Sequence, residues 1–217
     1  MEKKENVNPT GGDSTILMPG FGPAKGSSAN IDHTVSLEEL FKEQIKCGIN
    51  AFKAEGKMMP AAFLVCRDFE QEKYKIAIYP MPNPGPGAME FHSMVLRRLI
   101  SQMKQSEMNT FKLIGVIIGM DAHMSQVPIE QALNSDGSIN KDNYVPPSQD
   151  PQAKDVLHFS LEDSFGKHVI AYEYITASDG TAVVNETPFI DKKEPYNERA
   201  NKNSNFGFFF AEKVNQN

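Results

Sequence analysis

The chain has 217 residues, 22 basic against 28 acidic side chains, a net charge of −6 and 40% hydrophobic residues. That length and apolar share suit one domain that buries its own core without disulfides or a structural metal. With only two cysteines, the balance excludes a collagen, a disulfide framework and a strongly basic nucleic-acid module, and no run approaches the ~18 apolar residues of a membrane-spanning helix.

Residues 1–35 are rich in Asn, Gly, Pro, Ser and Lys and show no periodicity. They are expected to form a flexible arm ahead of a domain over residues 36–217. The charged start has no apolar stretch behind it, so no secretory signal is expected. One cluster, Ile16-Leu17-Met18, could dock on the domain or on a partner. Ser36-Leu37-Glu38-Glu39 reads as a capping box, with a hydroxyl for the Glu39 amide and a carboxylate for the Ser36 amide. Leu37, Leu40, Phe41, Ile45, Gly48, Ile49 and Phe52 then follow a helical stripe, and Gly56 stops it by tolerating a left-handed conformation. The spacing predicts a helix over about 36–54.

Ala61–Cys66 reads as a buried strand, Arg67–Lys73 as a turn and Tyr74–Tyr79 as the partner strand of a hairpin. The prolines of 80–87 lack amide donors and are expected in neither helix nor ladder. A second helix is predicted over about 88–105, its stripe Met89, His92, Leu96, Leu99, Ile100 and Met103. Phe111–Gly119 is apolar on both faces, as a central strand would be. The pattern then fails from Met120 to Lys154, which reads as a long loop insertion, functional or disordered. Order returns with strands at Asp155–Leu161 and His168–Thr176, a turn at Ser178-Asp179-Gly180 and a strand at Thr181–Asn185. Phe206–Phe210 is expected to close the chain as a strand. The fold class is therefore α+β, two helices packed on a mostly antiparallel sheet.

Candidate chemistry is sparse. Cys47 and Cys66 read as small buried hydrophobes. Gly85-Pro86-Gly87 precedes a helix but matches no phosphate-binding loop. Ala132–Asn143 resembles a calcium loop only in part, because Ala132 and Asn143 stand where a carboxylate and a bidentate glutamate belong. No histidine pair has the helical spacing of a zinc motif, and strand parity puts His158 and His168 on opposite faces, with His158 on the polar one. His158-Phe159-Ser160 fits one half of a two-histidine phosphoesterase pattern, but His33-Thr34-Val35-Ser36 places the partner's serine one residue late. Asp121 and His123 follow the central strand, where α/β sites often sit, and are the leading catalytic candidates, with His158 behind them. No metal and no cofactor is expected. Basic residues occur only as isolated pairs, so no nucleic acid is expected either.

Phe206, Phe208, Phe209 and Phe210 are too many for one face of a strand. They are the candidate partner-binding residues, the alternative being a strand buried on both faces.

From Ser36 to Thr176 the helix ending in Gly56, the three residues before Pro60, the apolar strand Ala61–Cys66, a hairpin, a helix, an apolar strand and a further hairpin resemble a family of uncharacterised small α+β proteins from phages and bacteria. The resemblance implies a phage or mobile-element origin and carries over no function and no site residue. The insertion and the phenylalanine-rich tail depart from its pattern.

These readings lead to a non-enzymatic interaction or assembly protein, with a phage accessory or virion component as its setting. It would act on a protein partner or on itself, in the cytoplasm or in a virion, and not on a membrane. The alternative is a small-ligand binder or hydrolase whose site gathers Asp121, His123 and the Pro/Gly loop.

Overall fold

A computed structural model describes residues 30–32, 35–70, 73–82, 88–105, 111–124, 134, 140, 145, 149–195 and 209. Ser36 caps helix α1 (Leu37–Glu55) with both halves of the capping box in place. The Glu39 amide donates to Ser36 Oγ at 3.1 Å, and the Ser36 amide donates to Glu39 Oε2 at 2.7 Å. Gly56 ends the helix at φ 68°, where a Cβ would be strained, and its amide donates to the Phe52 carbonyl. Helix α2 spans Ala88–Gln105, as the periodicity predicts.

The strands are β1 (Asn30–Asp32), β2 (Ala61–Asp68), β3 (Lys73–Pro80), β4 (Phe111–Met124), β5 (Lys154–Asp163), β6 (Gly166–Thr176), β7 (Ala182–Val184) and β8 (Ile190–Pro195). They pair antiparallel in the order β1-β3-β2-β4-β5-β6-β7, and β8 joins β6 beside β7. β4 is central, laddered to β2 on one side and β5 on the other.

Several boundaries differ from those read in the sequence. β1 lies inside the expected arm and covers Lys73–Lys75 at the edge of β3. β2 runs on through Arg67 and Asp68, so the first turn is shorter than expected, and Pro80 is the last paired residue of β3. β4 continues five residues past Gly119, so the insertion begins after Met124. β8 occupies a stretch read as polar loop. Cys47 is exposed on α1 rather than buried. Cys66 is buried as expected, and burial pushes its thiol pKa up to about 11.

Each helix covers one face of the sheet. Leu40, Phe41, Ile45 and Phe52 of α1 pack with Val65, Ile117, Leu157 and Phe159. Leu96 and Ile100 of α2 pack with Leu64, Val116 and Ile118 on the other face. A bulge in the β2–β4 ladder at Val65/Cys66 gives Ile114 and Gly115 to the α1 face together. A Cβ on Gly115 would stand 2.7 Å from Leu37, so the glycine admits the first turn of α1. His92 ties α2 to the end of β3. Pro82 O can only accept, so Nε2 donates to it at 2.8 Å and Nδ1 accepts from Tyr79 Oη at 2.9 Å.

Candidate functional site

Strand alternation puts Asp121 and His123 on the α1 face of β4, and the β4–β5–β6 register supplies partners for both. Asp155 stands directly opposite His123, and its Oδ1 lies 2.5 Å from Nδ1. In the neutral imidazole the carboxylate selects the tautomer with the proton on Nδ1. The imidazole is largely exposed. Two residues back, Asp121 Oδ1 accepts from Tyr174 Oη at 2.8 Å. Burial, reinforced by that hydrogen bond and by the Asp121 charge, raises the phenol's pKa well above its usual value, so Tyr174 stays protonated. The Tyr174 ring packs 4.5 Å from Phe52, near the C-terminal end of α1. A histidine–carboxylate pair beside a tyrosine–carboxylate pair can orient a base and hold a polar ligand. No hydroxyl or thiol nucleophile bonds His123 among the described residues, so the triad logic of covalent catalysis is incomplete.

His158 does not join this group. It pairs with Met120 and Ala171 and faces the α2 side, opposite Asp121 and His123. The surroundings correct the expectation of a polar face. Its Nε2 is buried with no hydrogen-bond partner among the described residues, and burial, with Lys167 nearby, lowers the imidazole pKa to about 4. Ser160 beside it is also buried, while His33 lies outside the described residues, so the half-motif stays a half. The Pro/Gly loop does not converge on Asp121 and His123 either. Met81 is in the α2 core and Pro82 bonds His92 of α2, on the opposite face, while residues 83–87 lie outside the described set. Apart from Asn134 and Asn140, the calcium-like loop is also outside it.

At the other end of the α1 face a cavity of about 320 Å³ is lined by Leu37, Glu38, Phe165, His168, Lys193 and Glu194, among others. His168 is buried, with Nε2 2.7 Å from Asp191 Oδ1 and its ring edge-on to Phe41. Lys193 Nζ donates to both Glu38 oxygens at 3.0 and 3.2 Å. The Lys193 ammonium, by hydrogen bond and by charge, holds the Glu38 carboxyl below its ordinary pKa. Sequence reasoning missed this group because Asp191 and Lys193 belong to β8. Among the described residues no three His, Cys, Asp or Glu side chains gather as a metal would require.

Phe209, expected in a strand at a partner contact, sits in a turn and is 5% exposed, packed in the α2 core. Its amide donates to Glu162 Oε2 at 2.6 Å, and the Arg97 guanidinium lies 5.1 Å from its ring centre. Phe206, Phe208 and Phe210 lie outside the described residues. No helix among the described residues is long and apolar enough to cross a membrane. No known protein family, curated protein or solved structure matches the chain.

Proposed function

We propose that this chain is a non-enzymatic interaction or assembly protein that works by binding another protein chain, a second copy of itself first of all. The reading is carried by the sheet face at β6 and β7. Ile175 and Val183 stand directly opposite one another there and are 63% and 49% exposed. Phe189, whose amide donates to the Ala171 carbonyl four residues back along β6, is 40% exposed, with the Lys154 ammonium 4.5 Å from its ring centre. Single exposed apolar side chains are ordinary, but a facing cross-strand pair makes a contiguous patch of the kind that marks contact surfaces. The neighbouring edge strand β8 carries Asp191, Lys192, Lys193 and Glu194 and ends in Pro195, which discourages strand-to-strand pairing and favours contact through the face. A phage accessory or virion component is the setting that the family resemblance implies.

Light scattering over a wide concentration range tests this. The unmodified chain should exceed its 24.1 kDa mass. The double variant Ile175→Lys, Val183→Lys should return to that mass with an unchanged circular dichroism spectrum. A monomer at every concentration, or association that survives both substitutions, overturns the reading.

A second reading, a small-ligand site at Asp121 and His123, is favoured by one observation: the Asp155 carboxylate holds the exposed His123 imidazole through Nδ1. It calls for a ligand that shifts the His123 ring resonances and binds more weakly in Asp155→Asn, which removes the carboxylate that holds the ring. A screen without such a ligand removes it.

A further inference from the structure

The cavity at the start of α1 lies at the opposite end of β6 from Ile175, and three separate parts of the chain build it. Leu37 and Glu38 come from the first turn of α1, Phe165 and His168 from the β5–β6 hairpin, and Lys193 and Pro195 from β8. Two glycines let these parts close up. A Cβ on Gly115 would meet Leu37, and one on Gly166 would run into the Glu194 carbonyl, so a side chain at either position would push α1 or β8 outward. Strand parity sorts the charges. His168 and Lys193 stand opposite one another on the α1 side of the β6–β8 ladder, whereas Lys167 and Glu194 turn to the other face, where they meet Glu162 and Lys192. The charged groups on the cavity's own side are therefore the Lys193–Glu38 pair, His168 with its Asp191 partner, and Asp163. Asp163 Oδ1 accepts from the Phe165 and Gly166 amides at 2.7 and 3.1 Å. That turn holds Phe165 at the rim, where it is 84% exposed, while Leu37, Leu161 and Pro195 give the cavity its apolar walls.

A volume of about 320 Å³ stands at the small end of ligand sites, which run roughly 300–1,000 Å³, so the occupant is a small molecule. Its chemistry follows from the pair at the mouth. Glu38 and Lys193 are both solvent-accessible and satisfy each other. A ligand of single charge would take one of them and leave the other unpaired. A ligand that carries an ammonium and a carboxylate on one carbon pairs with both at once. Its apolar body then covers the Phe165 ring, which otherwise stands in water. We propose that this cavity binds a free α-amino acid with an apolar side chain, its ammonium on Glu38, its carboxylate on Lys193 and its side chain between Phe165 and Leu37. The proposal is independent of the assembly reading, because it uses neither β7 nor the patch around Ile175.

Calorimetric titration of the full chain with L-phenylalanine, with phenethylamine, which lacks the carboxylate, and with hydrocinnamate, which lacks the ammonium, tests this. The amino acid should bind saturably and about tenfold or more tightly than either analogue, the difference expected for one hydrogen bond to a charged group. Glu38→Gln and Lys193→Met, both at exposed positions, should each lose that advantage with an unchanged circular dichroism spectrum. In amide and imidazole spectra, the amino acid should move Phe165, Gly166 and the His168 ring. No saturable binding of the amino acid overturns the proposal. So does an analogue that binds as tightly, or binding that survives both substitutions. Shifts confined to Asp121 and His123 also overturn it, since they place the ligand at the other end of the α1 face. Should either variant fail to fold, the comparison of the three ligands on the unmodified chain and the position of the shifts decide.

Discussion

At the scale of single residues, this protein places charge and hydrogen-bonding capacity where the sheet is otherwise apolar. Strand β5 turns Val156, His158, Ser160 and Glu162 toward the α2 side. Glu162 finds donors there, whereas His158 Nε2 finds none among the described residues. The cost appears on protonation. His158 has its pKa lowered to about 4 in the folded chain, against an ordinary value near 6.5. Between those values the unfolded chain binds more protons than the native one, so stability is full above pH ~6.5 and falls as pH drops toward ~4. The loss is of order 3 kcal/mol. In His158→Leu that part of the slope should vanish, which urea unfolding at several values in this window would show. An unchanged slope would mean that other groups carry the acid sensitivity. Asp121 and His123 could be singled out from their place after an apolar strand. Asp155 and Tyr174 could not, because they meet them only through the β4–β5 and β5–β6 registers, which no local pattern specifies.

At the scale of elements, legibility followed locality. The start and stop of α1 are written within a few residues, in Ser36, Glu39 and Gly56, and the helix obeys them. The apolar stripe of α2 defined its ends as closely. Strands β1 and β8 escaped because edge strands need not alternate: β8 reads Ile-Asp-Lys-Lys-Glu-Pro, a solvated sequence held by its ladder to β6. The far end of β4 escaped because Asp121 and His123 look like loop residues until their partners are known. The approach of α1 to the sheet is set at Gly48, where a Cβ would meet the Phe159 ring at 2.7 Å. Alanine there should gain about 1 kcal/mol of helix propensity and lose about 1–3 kcal/mol to overpacking against the buried ring. The net is a lower melting temperature, and a rise would show that α1 shifts freely over the sheet.

At the scale of the molecule, one helix on each face makes two cores that share the central strands β2 and β4. Ile117 serves one core and its neighbours Val116 and Ile118 serve the other. A void opened on either side is therefore felt by backbone common to both.

Met124 and Lys154 are paired directly across the β4–β5 ladder, so the 29 residues between them begin and end at one rung. The stretch is thus a connection whose two ends the sheet already fixes. Since closure entropy grows only with the logarithm of length, replacing the connection with a four-residue turn gains merely about 2 kcal/mol. Lengthening it costs correspondingly little. The position is a natural port in the scaffold, where a guest module with adjacent termini, or a new recognition loop, could be carried without asking the host to refold around it.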